Sequence, residues 1–478
     1  MADIDWLCEE VEKGPYGPRI GAFFDFDGTL IDGYSAAAFF RERLKIRDID
    51  AKEIFQTIVA SVDMERRGSD VSQLMKIGMK GQAGRKLADL DDFGRKLFLE
   101  KISGMIYPDA RLLLDAHRHM GHTIVLASSA TPPQIIPAAT DLGINNILCT
   151  EIDVTKDGII TGNVKGPIRW GKGKATAVKD FAKKHKLDLE QSYAYSNGAE
   201  DVPFLKQVGN PRPLNPDDDL KKYAKKNGWP VAYLTMPHRH NPITLARSAA
   251  AIGSMGIGIA TGFGVALINA DRGLGASVAA SVGSELALAA AGIKLNVHGE
   301  ENLWSDRPCV FLFNHQSQLD VMILGALLRK DFTGVAKKSL EHDPVFGPIG
   351  YLADVAFVDR SNSSAAREAL KPVVEAMKKG KCIAIAPEGT RSPTPRLLPF
   401  KTGAFHMARQ AGVPVVPIVI RNAGELMRPH SLVISNGTID VAVLPPVPST
   451  GWTTKNIHDA VDEVRDMYLD TLENWPTD

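Results

Sequence analysis

Cysteine is scarce in this chain, and neither sign of charge is in surplus. The four cysteines, Cys8, Cys149, Cys309 and Cys382, are scattered and form no C-x-x-C pair. That spacing suggests neither a zinc ribbon nor a disulfide framework and fits a reducing cytosol. Lys plus Arg number 56, as do Asp plus Glu, so the overall charge does not suit nucleic acid as a partner. The opening MADIDWLCEE is acidic and lacks the basic and apolar blocks of a signal peptide. At 478 residues the chain exceeds what one core serves, so two or three domains are expected.

Long hydrophobic runs are also rare, with one exception. No residue between Arg247 and Asp271 is charged, and Ala, Gly, Ile and Val dominate. A second stretch, Gly273 to Ile293, is interrupted only by Glu285. The length would span a bilayer, but Leu is scarce and the runs are weakly hydrophobic. They read as an antiparallel helix pair broken at Asp271-Arg272-Gly273, with Gly258 and Gly262 allowing close helix contact. Three arrangements are open: an interfacial or shallowly inserted hairpin, a protein-buried pair acting as a dimer interface, and a membrane span. The first fits the composition best.

Upstream, Ile20 to Phe26 reads as a buried strand running into Asp25-Phe26-Asp27-Gly28-Thr29-Leu30. Asp at i and i+2 point the same way from a strand end, where open α/β sheets bind ligands. Asp25 can attack phosphorus and carry an aspartyl-phosphate. Asp27 can protonate the leaving oxygen and then activate water, and Gly28 permits the sharp turn. Farther on come a second buried strand, Thr123 to Ala127, a helix opening at Thr131-Pro132-Pro133, and a hairpin turn at Lys156-Asp157-Gly158. A basic helix starts near Lys174, and the run SYAYSNGAEDVPFL follows from Ser192.

These motifs resemble the haloacid dehalogenase-like phosphatases, closest to the phosphoserine phosphatase branch, over roughly Arg19 to Tyr233. The resemblance implies a Rossmann-like domain with a helical cap at about 33–105. It assigns phosphate binding to Ser128, with Ser129 as the alternative. It assigns charge neutralisation to Lys174, with Lys172 as the alternative. It implies Mg²⁺ held by Asp25, Asp27, Asn197 and Asp201. The family usually has an acidic residue where Asn197 stands, so the metal site departs from the pattern, with Glu200 as a compensating carboxylate.

Downstream, the strand Cys309 to Phe313 leads into Asn314-His315-Gln316-Ser317-Gln318-Leu319-Asp320. A His and an Asp five apart across a strand-to-helix turn can meet, leaving one imidazole nitrogen as base. Capping by Asn314 or Ser317 is the plainer reading of the same turn. Phe357-Val358-Asp359-Arg360, then Glu388-Gly389-Thr390-Arg391-Ser392 after the strand CIAIAP, then Val413 to Ile420, follow in order. The set resembles the glycerolipid acyltransferases, most like the lysophosphatidic acid acyltransferases, over about Arg247 to Pro448. The resemblance makes His315 the base, oriented by Asp320. Arg360, Glu388, Gly389, Thr390 and Arg391 then shape the phosphate-bearing acceptor's pocket, with Lys337 and Lys338 as further phosphate contacts.

The expected layout is a phosphatase domain over 1–235, a linker over 236–247, an apolar helical segment over 248–293 and an acyltransferase domain over 294–478. The fold class is α/β for both catalytic domains. The expected activity is bifunctional: acyl transfer from acyl-CoA or acyl carrier protein to a lysophospholipid, with Mg²⁺-dependent phosphomonoester hydrolysis. A peripheral place on the cytoplasmic face of a membrane and a homodimer go with it. Two rivals stand beside this reading: an acyltransferase carrying a degenerate phosphatase-like scaffold, and a non-catalytic lipid-binding protein.

Overall fold

The computed structural model describes residues 4–476 apart from 68–71, 236–240, 344–345, 359–362 and 429–430. The chain divides into two units, Met1–Met236 and Pro237–Asp478.

The first unit is built on strands β1 (Gly21–Phe24), β2 (Thr123–Ala127), β3 (Asn146–Leu148), β4 (Tyr193–Ser196) and β5 (Asn210–Pro213). All pair in parallel, in the order β3-β2-β1-β4-β5. β1 and β4 are buried at every residue. Helices cover both faces, so these strands read as apolar runs without alternation. The strand order reverses between β1 and β4, which makes the crevice beyond their C-terminal ends the binding position of the fold.

Helices Ser35–Lys45, Ala51–Arg67, Ser72–Lys80 and Leu87–Glu100 fill the stretch after β1. Arg43 ties them by pairing with Glu53 at 2.6 Å, and Arg85 reaches Asp48 at 2.5 Å. A hairpin, Glu151–Val154 with Ile160–Lys165, turns at Gly158 with φ +74° and packs on this insert. Gly84 N–H donates to Ile160 and Leu87 N–H to Gly158, both at 2.9 Å. Helix α1 (Lys172–His185) then leads into β4.

The second unit opens with α2 (Pro242–Asn269) and α3 (Arg272–Ala291), N-capped by Asn241 and Asp271. Residues 242–247, read as linker from the sequence, are therefore helical, because Asn241 caps and Pro242 starts the helix. The break falls at Ala270 and Asp271, where Ala270 has φ +51°. The buried face of α2 is Ser248, Ala251, Met255, Gly258, Gly262 and Ala266, a helical stripe of mostly small residues. A Cβ on Gly258 would lie 2.3 Å from Gly283 Cα, and one on Gly262 2.5 Å from Gly275 O. Only glycine allows the two backbones so near.

Strands β6 (Ile293–His298), β7 (Val310–Phe313), β8 (Phe332–Lys337), β9 (Ala356–Val358), β10 (Cys382–Ile385), β11 (Val415–Arg421) and β12 (Gly437–Val443) form one sheet. Its order is β9-β8-β10-β7-β11-β12-β6. The five strands β9 to β11 are parallel, and β12 pairs antiparallel with β11. β7 lies between β10 and β11, and helix α4 (Leu319–Leu328) follows it. Helix α3 packs on α4 so tightly that a Cβ on Gly325 would fall 2.2 Å from Ser284 Oγ. The chain's C-terminal helix is α5 (Ile457–Glu473).

Candidate active sites

In the first unit, β1 ends where Asp25 begins, and β4 ends at Ser196 with Asn197 next. Lys174, in the first turn of α1, reaches between them. Its Nζ donates to Asp25 Oδ1 at 2.7 Å and to Asp201 Oδ2 at 2.5 Å, and all three side chains are buried. Burial alone favours the neutral amine, but Asp201 and Asp25 outweigh it and raise the ammonium's pKa. Burial pushes the Asp25 carboxyl up, and Lys174 opposes that. Lys172, by contrast, starts the helix exposed.

Thr29 Oγ1 lies between Asp25 Oδ2, at 3.1 Å, and Asn197 Oδ1, at 3.2 Å. Gly28 has φ +75°, and a Cβ there would sit 2.2 Å from Asn197 Nδ2. The turn thus needs glycine for its dihedral and for the closeness of Asn197. The Asp27 carboxylate is held by Ser35. Its oxygens accept the Ser35 N–H at 2.6 Å and the Ser35 hydroxyl at 3.1 Å. Burial pushes the Asp27 carboxyl up to about 7, with the charge of Asp25 adding to it. A carboxyl with a pKa there can both give and take a proton near neutrality. Ser128, at the end of β2, is buried with its Oγ accepting the Ala130 N–H at 3.1 Å.

The metal residues named from the sequence can be tested on this geometry. Asp201 Oδ2 takes Lys174 and the Ser196 hydroxyl, the latter at 2.7 Å. Asp201 Oδ1 is buried without a hydrogen-bond partner among the described residues. Such an orphaned carboxylate oxygen is expensive unless a cation or donor faces it. Burial also pushes the Glu200 carboxyl up to about 7. Carboxylates outnumber basic groups in this crevice, and every offered donor is oxygen, the set that suits Mg²⁺. Asp25, Asn197 and Asp201 offer oxygens of that kind, with Lys174 between the two carboxylates, and Ser35 engages both Asp27 side-chain oxygens.

In the second unit, His315 and Asp320 meet across the turn from β7 to α4. His315 Nδ1 lies 2.7 Å from Asp320 Oδ2. The same oxygen accepts the Gln316 and Ser317 N–H groups at 2.8 and 2.9 Å, and Asp320 is fully buried. A carboxylate so placed only accepts, so Nδ1 carries the proton and Nε2 keeps its lone pair. The Ser317 hydroxyl accepts the Leu319 N–H at 3.3 Å and donates to the Met427 carbonyl, while Gln318 is the N-cap of α4.

Glu388 does something the sequence did not reveal. Its Oε1 accepts the His315 main-chain N–H at 2.8 Å and its Oε2 the Leu398 N–H at 2.8 Å. Ser392 N–H donates to the His315 carbonyl at 2.7 Å. The Glu388–Ser392 loop therefore clasps the His315 backbone on both sides. Burial pushes the Glu388 carboxyl up to about 7, and the two backbone N–H groups oppose this. Asn314, weighed as a helix cap, instead clips β11: its Oδ1 accepts the Ile420 N–H and its Nδ2 donates to the Ile420 carbonyl.

Gly389 has φ +72°, and a Cβ there would crowd Lys401 Nζ at 2.8 Å. Arg391 is half-buried, which lowers its pKa against the pull of Asp320. Thr390 and Lys337 are exposed, Lys337 at the end of β8. Lys338 pairs with Glu341 at 2.6 Å. Arg360 lies outside the described residues.

Residues 22–206 match the haloacid dehalogenase-like hydrolase family and residues 294–421 the acyltransferase family. A 1-acyl-sn-glycerol-3-phosphate acyltransferase of Saccharomyces cerevisiae is 40% identical over 185 residues, 38% of this chain and 61% of its own length. The chain spans 58–62% of the length of the first acyltransferase relatives it matches. A Streptomyces azureus protein, named for inhibition of morphological differentiation, is 30% identical over 225 residues, 46% of this chain and 81% of its own. The solved 1-acyl-sn-glycerophosphate acyltransferase of Thermotoga maritima covers 48% of this chain and 97% of itself, at 22% identity and a TM-score of 0.41.

Proposed function

We propose that this chain, which belongs to the haloacid dehalogenase-like hydrolases through its first unit and to the acyltransferases through its second, is a bifunctional enzyme of phospholipid biosynthesis. The second unit transfers an acyl group from acyl-CoA or acyl carrier protein to 1-acylglycerol-3-phosphate, giving phosphatidic acid. The first hydrolyses a phosphomonoester with Mg²⁺ through an aspartyl-phosphate. The observation that carries the acyl-transfer reading is His315 Nδ1 at 2.7 Å from the buried Asp320, with its backbone held by Glu388.

Nε2 takes the proton of the acceptor hydroxyl as that oxygen attacks the thioester carbonyl. Asp320 stabilises the imidazolium that forms, and the proton then leaves with the thiolate. A thioester is already activated, so no acyl-enzyme is required. Arg391, and Arg360 from the sequence, serve as donors to the acceptor phosphate.

In the first unit Asp25 attacks phosphorus, and the leaving oxygen takes the Asp27 proton. Asp27 then withdraws a proton from the water that releases phosphate. Lys174 spreads charge away from the phosphoryl oxygens. Asp25, Asn197 and Asp201 would hold Mg²⁺, which supplies positive charge against those same oxygens.

The α2–α3 pair supports a place at a membrane surface. Both helices are long and apolar enough to cross a bilayer. Leu267 and Ile268 near the α2 C-terminus are 82% and 85% exposed. Apolar side chains so bare suit an interface with lipid, reversible and peripheral on the cytoplasmic face, or a second copy of the chain.

The test is purified protein with lysophosphatidic acid and acyl-CoA, read by lipid mass spectrometry and phosphate release, with and without Mg²⁺. Diacyl product in both conditions, and phosphate release only with Mg²⁺, is expected. No diacyl product removes the acyl-transfer reading. Diacyl product without phosphate release across a broad substrate panel favours the scaffold alternative, for which Asn197 is the motivating residue.

A further inference from the structure

The C-terminal helix α5 lies outside the matched acyltransferase residues 294–421, yet it reaches the strand that carries His315. Its buried face includes Tyr468, which is fully buried. The Tyr468 hydroxyl donates to the Leu312 carbonyl at 2.6 Å and accepts the Ile418 N–H at 3.3 Å. These two groups belong to β7 and β11, paired in parallel with Pro417 opposite Leu312 and Ile418 opposite Phe313. In a regular parallel ladder the Ile418 N–H would go straight to the Leu312 carbonyl. Here a phenol from another element sits beside that rung and bonds to both of its atoms. Two residues on, the strands are joined by the Asn314 carboxamide and both Ile420 main-chain groups. The last rungs before His315 are thus braced by side chains.

The Tyr468 ring makes a second link. It meets Phe400 edge-to-face, with centroids 5.2 Å apart and planes at 86°. Phe400 precedes Lys401, whose N–H donates to the Pro387 carbonyl at 2.8 Å, beside the Glu388 that holds the His315 N–H. Burial keeps the phenol protonated, with the Glu388 charge adding to the effect, so it remains a donor to Leu312. One buried side chain therefore touches the strand that leads to His315 and, through Phe400 and its neighbour Lys401, is linked to the chain just before Glu388.

We infer that Tyr468 is a positioning residue for acyl transfer: its hydroxyl fixes the spacing of β7 and β11, and so the aim of the His315–Asp320 pair. This rests on the acyl-transfer reading. Misplacing a catalytic group by a fraction of an ångström to an ångström costs up to about 10²-fold in rate. Tyr468→Phe keeps the ring and its contact with Phe400 and removes only the hydroxyl. It is expected to lower kcat about tenfold and leave KM for both substrates within twofold.

Phe400→Leu keeps the hydroxyl and cuts the second link; about a threefold fall in kcat is expected. A folded Tyr468→Phe with kcat within twofold of wild type overturns the inference, as does a rise in KM alone. If Tyr468→Phe does not fold, wild-type kcat in Phe400→Leu overturns it. A readout without turnover separates this from failure of the acyl-transfer reading itself. The low-field Nδ1 proton of His315, assigned by its loss in His315→Gln, should move upfield in Tyr468→Phe or, failing that, in Phe400→Leu. An unmoved resonance overturns the inference even where no acyl transfer is found.

Discussion

The two crevices occupy the same place in two different sheets, beyond the C-terminal ends of central parallel strands, yet they are built in opposite ways. In the first, charged side chains hold one another: Lys174 bridges Asp25 and Asp201 at 2.7 and 2.5 Å. In the second, a single His–Asp pair is held by backbone, with Glu388 and Ser392 gripping the His315 main chain and two N–H groups fixing Asp320. The difference follows the chemistry proposed for each. Phosphoryl transfer moves a dianion and needs compensating charge near it. Attack on a thioester needs one proton acceptor, correctly aimed.

The largest test of this contrast is Asp25→Asn. An amide does not attack phosphorus, so hydrolysis should fall by about 10⁴-fold or more, with acyl transfer unchanged. Both rates are measured on one preparation, and a parallel loss of acyl transfer would mean that the sites are not separable. His315→Ala is the mirror experiment. Acyl transfer should drop about 10²–10⁴-fold while phosphate release persists; survival of acyl transfer would remove His315 as the base.

A smaller effect comes from pH. Asp27 must be protonated to serve the leaving oxygen, so kcat/KM for hydrolysis should fall as pH rises above about 7, the value to which burial pushes it. Asp27→Asn should abolish that limb along with most of the rate. The same shift has a stability consequence. A carboxyl raised by folding binds more protons folded than unfolded between its ordinary value and about 7. Asp27 and Glu388 therefore stabilise the fold most at acid pH, and that share is lost as pH climbs through this window. Chemical denaturation of wild type against Asp27→Asn at pH 5 and pH 7.5 reads it. The asparagine variant should lose less stability across that interval.

The smallest effect concerns the helix pair. Leu267→Asp with Ile268→Asp should weaken liposome flotation roughly tenfold and spare turnover of a water-soluble short-chain acceptor. Unchanged flotation would shift the bare face of α2 to protein contact, which light scattering of the same variant would detect as loss of a dimer.

Much of this was legible along the chain, and the reason is local. Asp25 and the His315–Asp320 pair sit just past the ends of short apolar runs, which sequence reports best, whereas Lys174 and Asp201 were carried by the resemblance. The α2–α3 break was legible because Asp271 caps a helix. What stayed hidden depends on partners far along the chain. Glu388 was grouped with the acceptor pocket, and only the fold brings it to a backbone N–H 73 residues away. Asp27 was expected beside a metal, but Ser35 claims both of its oxygens, and nothing in the order of residues marks that serine. Ser196, Thr29 and Asn314 escaped for the same reason. The start of α2 was misjudged because Arg247 looked like the edge of a linker, whereas capping at Asn241 sets the helix start.

The contact between Gly325 and Ser284 bears on where the acyltransferase part can be cut. The family match starts at residue 294, which invites trimming there. Helix α4 has eight of its 10 residues buried, and Ala287, Leu288 and Ala291 of α3 belong to the same apolar cluster as Ile323, Leu324 and Leu327. A fragment begun at 294 would bare the back of the helix that holds Asp320. Ala251 and Met255 of α2 join the same cluster, so the piece that keeps this wall whole starts at Asn241, and the hairpin travels with the catalytic sheet.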